Sequence, residues 1–329
     1  MDRARYSTPS IAPHEPAFLG GRQPGAACSS SQLTSSVAGA LIQLIRLDKP
    51  VGILLLLWPV LWALWIASQG QPDLQVMFIF VLGTVLMRSA GCAINDYADR
   101  HLDGQVQRTQ GRPLATGALR PRTALLVAAL LALCAFTLVW WLNPLTRWLS
   151  VIAVLLAAVY PFMKRYTYLP QVVLGAAFAW AVPMAFAAQT GAVPVVAWLL
   201  FTVTLLWTTA YDTVYAMVDR QDDLVAGIRS TAVLLGEADM PVIIMLYIMV
   251  VGGLWLIGRQ LGLDAGFGFG EDVTSGADWY NLGLLIASIC LLYQYRLIRS
   301  RKPAACFQAF LNNQYVGFWI FAGIALCYW

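Results

Sequence analysis

Charge is what this chain has least of. Only 12% of its 329 residues are Asp, Glu, Lys or Arg, against 59% apolar, and a soluble domain carries about twice that charged share. So few charges cannot coat a water-facing surface, so most of the surface must face lipid. Histidines number two, and the six cysteines form no C-x-x-C pair, which argues against zinc and dithiol chemistry. The first forty residues lack a continuous apolar stretch, so no secretory signal is expected there. Long charge runs are missing too, and the net charge is only +4.

What those forty residues do hold is Pro9, Pro13, Pro16, Pro24 and a Ser-rich stretch from Ser29 to Ser36. They read as a polar, disordered extension. A transit peptide is the alternative, carried by Arg3, Arg5 and Arg22. Residues 41–329 read as one integral-membrane domain.

Apolar runs recur from Leu41 onward, and about 20 mostly apolar residues span a bilayer as a helix. Nine runs qualify: Val51–Ser68, Leu74–Ile94, Thr123–Leu142, Leu145–Phe162, Val172–Ala188, Val195–Val218, Val242–Ile257, Leu282–Ile298 and Val316–Trp329. The expected fold is all-α, a polytopic membrane protein with nine transmembrane helices, the first starting near Leu41. Nine spans place 18 of the 21 basic residues in segments on one face, and only Arg147 and Arg259 on the other. Under the positive-inside rule that basic face is cytoplasmic, or its mitochondrial equivalent. The positive charge is therefore topological, and no nucleic-acid partner is expected.

Six of the 17 acidic residues fall in two short segments at ends of apolar runs. One runs Asn95-Asp96-Tyr97-Ala98-Asp99-Arg100-His101-Leu102-Asp103, the other Tyr215-Ala216-Met217-Val218-Asp219-Arg220-Gln221-Asp222-Asp223. Both contain D-R-x-x-D, both reach the basic face, and they lie 120 residues apart. If the helices continue, Asn95, Asp99 and Asp103 share one face, as do Tyr215, Asp219 and Asp223, with Asp222 alongside. Clustered carboxylates at a membrane boundary need counter-charge. Oxygen ligands without His or Cys suit Mg²⁺, which keeps positions for phosphate oxygens. Two clusters thus point to metal ions holding a diphosphate. Asn95, Asp96, Asp99, Asp103, Asp219, Asp222 and Asp223 are the candidate ligands.

Basic residues near the clusters fit the same chemistry, because guanidinium forks match phosphate. Arg112 and Lys164 are candidates for diphosphate, with Arg165 and Arg229 beside them. Arg46 and Lys49 either bind an anionic co-substrate or anchor the first long helix. A purely topological role is the competing reading for each.

These motifs carry a resemblance. N-D-x-x-D-x-x-x-D at Asn95–Asp103 and Y-x-x-x-D-x-x-x-D at Tyr215–Asp223 resemble the UbiA superfamily of intramembrane prenyltransferases. Arg46-Leu47-Asp48-Lys49-Pro50-Val51-Gly52, Arg112-Pro113-Leu114, Tyr160-Pro161-Phe162-Met163-Lys164-Arg165 and Leu169-Pro170-Gln171 look most like members that act on 4-hydroxybenzoate in ubiquinone biosynthesis. The resemblance runs from about Leu41 to the C-terminus. It implies nine helices in an inner membrane with the acidic motifs on the cytoplasmic face. It also implies Mg²⁺, transfer of a polyprenyl chain from its diphosphate to the 4-hydroxybenzoate ring, catalytic roles for Asp99, Asp103, Asp219 and Asp223, and substrate contacts for Arg46, Lys49, Arg112, Lys164, Arg165, Tyr215 and Arg229. Superfamily members of the haem, chlorophyll and menaquinone pathways are the near alternatives. A cation-coupled transporter is the distant one, and would put its acids at the bilayer midplane. Two departures are the N-terminal extension and a long Gly/Asp-rich stretch, Gly262–Asp278, for which no catalytic role is expected.

Overall fold

The computed structural model describes residues 37–106, 108–263 and 277–329. Most of the N-terminal extension and of the Gly262–Asp278 stretch lies outside the described residues. Thirteen α-helices follow one another: α1 (Val37–Leu44), α2 (Val51–Ala67), α3 (Leu74–Asp99), α4 (Pro121–Val139), α5 (Pro144–Val159), α6 (Pro170–Ala179), α7 (Ala181–Thr190), α8 (Val195–Ala216), α9 (Arg220–Ala226), α10 (Thr231–Leu235), α11 (Asp239–Leu261), α12 (Ala277–Ile298) and α13 (Pro303–Cys327). No strand occurs among the described residues.

Local chemistry sets many helix starts. Proline opens α4, α5, α6 and α13, where its missing N–H costs no hydrogen bond. The Asp73 carboxylate caps α3 by accepting from the Val76 N–H at 3.0 Å, and Asn143 caps α5 by accepting from Thr146 N–H at 2.9 Å. Among the described residues eight helical segments are long and apolar enough to cross a membrane. The 17-residue α2 is a shorter apolar helix beside them, and together they match the nine expected spans.

Three boundaries differ from expectation. The first span does not run on from Leu41: α1 ends at Leu44, the chain turns with Arg46 at φ 58°, and α2 begins after Pro50. A residue before proline is driven out of the α region. Val172–Ala188 is two helices meeting at Trp180, because Pro183 cannot donate to the carbonyl one turn back. The last run starts much earlier, at Pro303. Asn312, Asn313 and Gln314 masked its first half.

The core lies between α2, α8 and α13, with α11 and α12 packed outside them. Trp62 of α2 donates to the Gly317 carbonyl oxygen at 3.0 Å, and Trp207 of α8 donates to Asn313 Oδ1 at 3.0 Å. These bonds satisfy polar groups that neither lipid nor core could. α12 and α13 cross closely at Gly323. A Cβ there would sit 2.9 Å from the Trp279 carbonyl oxygen, so a side chain would force the helices apart. Outward faces are apolar: Leu126, Leu133, Trp148, Leu155 and Ile248 are all more than half exposed. Exposed apolar surface on this scale is a lipid-facing surface, and the protein is a polytopic membrane protein.

Candidate active site

Asp99 is the last residue of α3. The carbonyls at a helix C-terminus carry partial negative charge, which disfavours a carboxylate there. Two neighbouring cations from the turn Tyr160–Arg165 answer this. Lys164 pairs with the Asp99 carboxylate, and Arg165 donates to the Ala98 carbonyl oxygen at 2.5 Å. Asn95, one turn earlier, donates to Asp99 Oδ2 at 3.2 Å. The other oxygen, Oδ1, is buried with no hydrogen-bond partner.

The helix does not continue to Asp103, which opens a short 3-10 turn over Asp103–Gln105. Arg112 Nη1 donates to both Asp103 oxygens at 3.0 Å. Arg112 also reaches Asp96 Oδ1 at 3.0 Å, and Arg46 holds the same carboxylate at 3.1 Å. Burial pushes the Asp103 carboxyl up to about 6, although Arg112 pulls the other way.

The second segment breaks as well. α8 stops at Ala216, and Asp219 precedes the short helix α9 that carries Asp223. Arg108, from the loop after the first acidic segment, crosses to the second. Its Nε donates to Asp219 Oδ1 at 2.9 Å and its Nη1 to the Tyr215 hydroxyl at 2.5 Å, with the guanidinium 4.7 Å from the Tyr215 ring centre. Burial, and then the adjacent Asp219, push the Asp223 carboxyl up to about 6. Behind α9, Arg220 and Arg301 both hold Asp239, which is fully buried, at 2.5 Å and 2.8 Å. Thr213 and Thr231 bond at 2.8 Å, and the Thr231 N–H donates to Gln171 Oε1 at 3.1 Å. These contacts fix the second segment against α6, α8 and α11.

Both segments therefore face one polar cavity of about 170 Å³. Asn95, Asp99, Asp103, Arg112, Lys164, Tyr215, Asp219, Asp223 and Arg229 line it. A second, mostly apolar cavity of about 650 Å³ adjoins it, and the two share Asn95, Arg112, Tyr160, Asp212 and Tyr215 as walls.

Not every expected residue arrives there. Asp96, Arg46 and Lys49 line only the larger cavity. Asp96 follows Asn95, so it points about 100° around the helix, where two arginines occupy it. It reads as their anchor instead of a metal ligand. Asp222 and Arg165 line neither cavity. Asp222 is turned aside by the short helix that presents Asp223, and Arg165 serves the α3 terminus. Arg88, Tyr160 and Asp212 were missed as site residues. Arg88 is a lone charge inside an apolar run, a signal that could have flagged it.

The donor set suits a hard divalent cation: carboxylate and amide oxygens, no sulfur or imidazole. Asp99 Oδ1, buried without a partner, is the free acceptor such an ion needs. Among the described residues no three His, Cys, Asp or Glu side chains converge closely enough to hold a metal as they stand. Basic side chains hold Asp96, Asp99, Asp103 and Asp219 instead.

A bundle of membrane helices with carboxylates and cations around a polar cavity, opening on an apolar one, defines a class: an intramembrane enzyme for a substrate with an anionic head and a hydrocarbon tail. The profile of the UbiA prenyltransferase family matches residues 56–321, and the chain belongs to that family. It is 58% identical over 286 residues to the 4-hydroxybenzoate octaprenyltransferase of Nitrosococcus oceani, covering 87% of this chain and 96% of that one. The enzyme of the same description from Ectopseudomonas mendocina is 53% identical over 287 residues, 87% of this chain and 93% of that one. Among solved structures, an apo UbiA homologue from Aeropyrum pernix shares the fold, with TM-score 0.69, 23% identity, and coverage of 82% of this chain and 96% of that one. A UbiA homologue from Archaeoglobus fulgidus bound to DMAPP and Mg²⁺ gives TM-score 0.63 at 19% identity, covering 88% and 99%.

Proposed function

We propose that the protein transfers a polyprenyl group from polyprenyl diphosphate to the ring carbon of 4-hydroxybenzoate ortho to its hydroxyl, releasing diphosphate, in ubiquinone biosynthesis. The observation that carries this is the pair of cavities: a polar one ringed by both acidic segments, joined through shared walls to an apolar one. The relatives' names support the acceptor.

In this reading Asn95, Asp99, Asp103, Asp219 and Asp223 hold Mg²⁺, which when bound draws charge from the leaving diphosphate. Arg108, Arg112 and Lys164 turn from the carboxylates to the diphosphate oxygens, and Arg229, which donates to the Tyr166 carbonyl oxygen, joins them. The allylic C–O bond breaks with its electron pair going to the diphosphate. A ring carbon of the acceptor then forms the new C–C bond, and a base takes its proton, the C–H electron pair restoring the aromatic ring. Leu55, Leu56, Ile79, Phe80 and Met87 of the larger cavity keep water from the allylic cation. Tyr215 closes the shared wall, its ring packed 4.5 Å from Phe310. The basic face supports a cytoplasmic position for the acidic segments in an inner membrane, and the bacterial relatives favour that over the mitochondrion.

The test is product mass. Purified protein in lipid, given 4-hydroxybenzoate and a set of prenyl diphosphates, is expected to yield ring-prenylated 4-hydroxybenzoate, and EDTA to abolish it. Absence of any adduct across the set overturns the reading.

A further inference from the structure

Each D-R-x-x-D repeat carries an arginine between its carboxylates, yet neither Arg100 nor Arg220 lines either cavity. Arg100 bends back onto the end of α3. It donates to the Tyr97 carbonyl oxygen at 2.7 Å, with its guanidinium 4.3 Å from the Tyr97 ring centre. Arg220 is the less expected case. It opens α9, three residues before Asp223, and side chains three apart on a helix are neighbours on one face. Its short-range partner is therefore the Asp223 carboxylate, which lines the polar cavity and forms no ion pair among the described residues.

The guanidinium turns to Asp239 instead. Arg220 Nη2 donates to Asp239 Oδ2 at 2.5 Å, and Arg220 Nε is buried with no partner, so the Asp239 pair is what fixes this side chain. Asp239 is the first residue of α11 and fully buried. Arg301, between α12 and α13, grips the same carboxylate with its fork, Nη2 to Oδ1 at 2.8 Å and Nε to Oδ2 at 3.1 Å. Arg301 Nη2 also donates to the Glu237 carbonyl oxygen at 3.0 Å. A pair made out of water outweighs the weak i, i+3 pair of an open helix face. The fold thus overrides the partner that the local sequence offers.

We propose that Asp239 is a positioning residue for the metal site: it draws the Arg220 guanidinium away from Asp223 and so leaves that carboxylate open to Mg²⁺. This rests on the prenyl-transfer reading and deepens it. The role differs from anchoring α9. An anchor is lost by removing either partner. A charge held aside does harm when its holder goes and the charge stays. With Asp239 neutral, Arg301 returns to solvent, its side chain being 41% exposed, and Arg220 pairs with Asp223 in competition with the metal. Arg108 on Asp219 is a different case. It lines the polar cavity and can pass to the diphosphate, whereas Arg220 lines no cavity from which a diphosphate could take it.

The test titrates full-length protein in lipid with Mg²⁺ alone, reading the rise in unfolding temperature, and then reads the Mg²⁺ needed for half-maximal prenyl transfer. Asp239→Asn is expected to raise both Mg²⁺ midpoints on the order of 10- to 100-fold and to leave KM for 4-hydroxybenzoate unchanged. Arg220→Gln is expected to lower the unfolding temperature yet keep the wild-type midpoints. The decisive variant combines the two: Asp239→Asn with Arg220→Gln is expected to bring the midpoints back toward wild type without restoring stability. A double variant no better than Asp239→Asn, or Arg220→Gln midpoints shifted as far as those of Asp239→Asn, overturns the proposal in favour of plain anchoring. Should Asp239→Asn fail to fold, Arg220→Gln and Arg301→Gln decide, because each leaves no loose guanidinium beside Asp223. Wild-type midpoints in both support the proposal, and raised midpoints in either overturn it. If the wild type neither gains stability from Mg²⁺ nor prenylates 4-hydroxybenzoate, the functional reading itself fails. If it does both and Asp239→Asn matches it, only the role of Asp239 fails.

Discussion

Asp99→Asn separates a working carboxylate from a structural one. The side chain is 4% exposed, accepts from Asn95 at 3.2 Å, pairs with Lys164, and leaves Oδ1 unpartnered. Asparagine keeps the shape and the acceptor for Asn95 and loses only the charge. Lys164 is partly exposed, at 21%, so it can turn to solvent, and losing its pair costs no more than about 1 kcal/mol. The unpartnered Oδ1 already carries the cost of a buried unsatisfied acceptor, roughly 1–3 kcal/mol, and an amide in its place restores none of it. Stability is therefore expected to fall by about 1 kcal/mol or less. Turnover is a different matter, because a neutral amide cannot replace an anionic metal ligand. A loss of electrostatic stabilisation on the scale of about 3–4 kcal/mol corresponds to a drop in kcat on the order of 100- to 1,000-fold. The assay is single-turnover prenyl transfer in lipid beside thermal unfolding followed by tryptophan fluorescence. Near-normal turnover in a folded variant refutes the ligand assignment. A large loss of stability that accounts for the lost activity refutes the claim that Asp99 is held for function.

Asp103 and Asp223, both near 6 when folded against a reference of 3.8, bind more protons folded than unfolded between about pH 4 and 6. The metal-free protein is therefore expected to lose stability as pH rises through that window. Protons compete with metal there, so Mg²⁺-induced stabilisation is expected to grow through pH 6 and level off above about 7; a flat profile across that range contradicts it. Asp239→Ala leaves Arg220 and Arg301 around an empty, formerly buried anion site and is expected to cost about 3–5 kcal/mol, seen as a lower unfolding temperature, whereas Asp239→Ala with wild-type stability removes the anchoring role. Deleting residues 1–35 is expected to leave turnover in membranes nearly intact, since the compact unit with both cavities begins at Ser36; loss of turnover at equal protein level would show that the extension takes part.

The acidic segments were legible because acids are so rare in this chain that two copies of one pattern at helix ends stand out. The helix count was legible for the same reason, as lipid demands long apolar runs. What stayed hidden depends on orientation. Asp96 and Asp222 sit beside true cavity residues in sequence, and one step along a helix turns a side chain by about 100°. The end of α3 at Asp99 was not visible, because Arg100-His101-Leu102 holds no strong breaker. Nor was the start of α13, where the fully buried Asn313 is satisfied by Trp207 across the core. Metal was expected to supply the counter-charge. The fold supplies it as well, from Arg46, Arg108, Arg112 and Lys164, three of them brought from elements 50 or more residues away from their partners.

Thermal stability in lipid or detergent, with Mg²⁺ and a non-hydrolysable prenyl diphosphate analogue added separately and together, tests most directly whether the two acidic segments share one metal–diphosphate site. Shared occupancy makes the two ligands mutually reinforcing, with a coupling on the order of 1–3 kcal/mol. Their joint stabilisation is expected to exceed the summed increments, to vanish with EDTA, and to be absent in an Asp103→Ala, Asp219→Ala double variant. Strictly additive increments, or a combined effect that survives EDTA, would contradict the shared site.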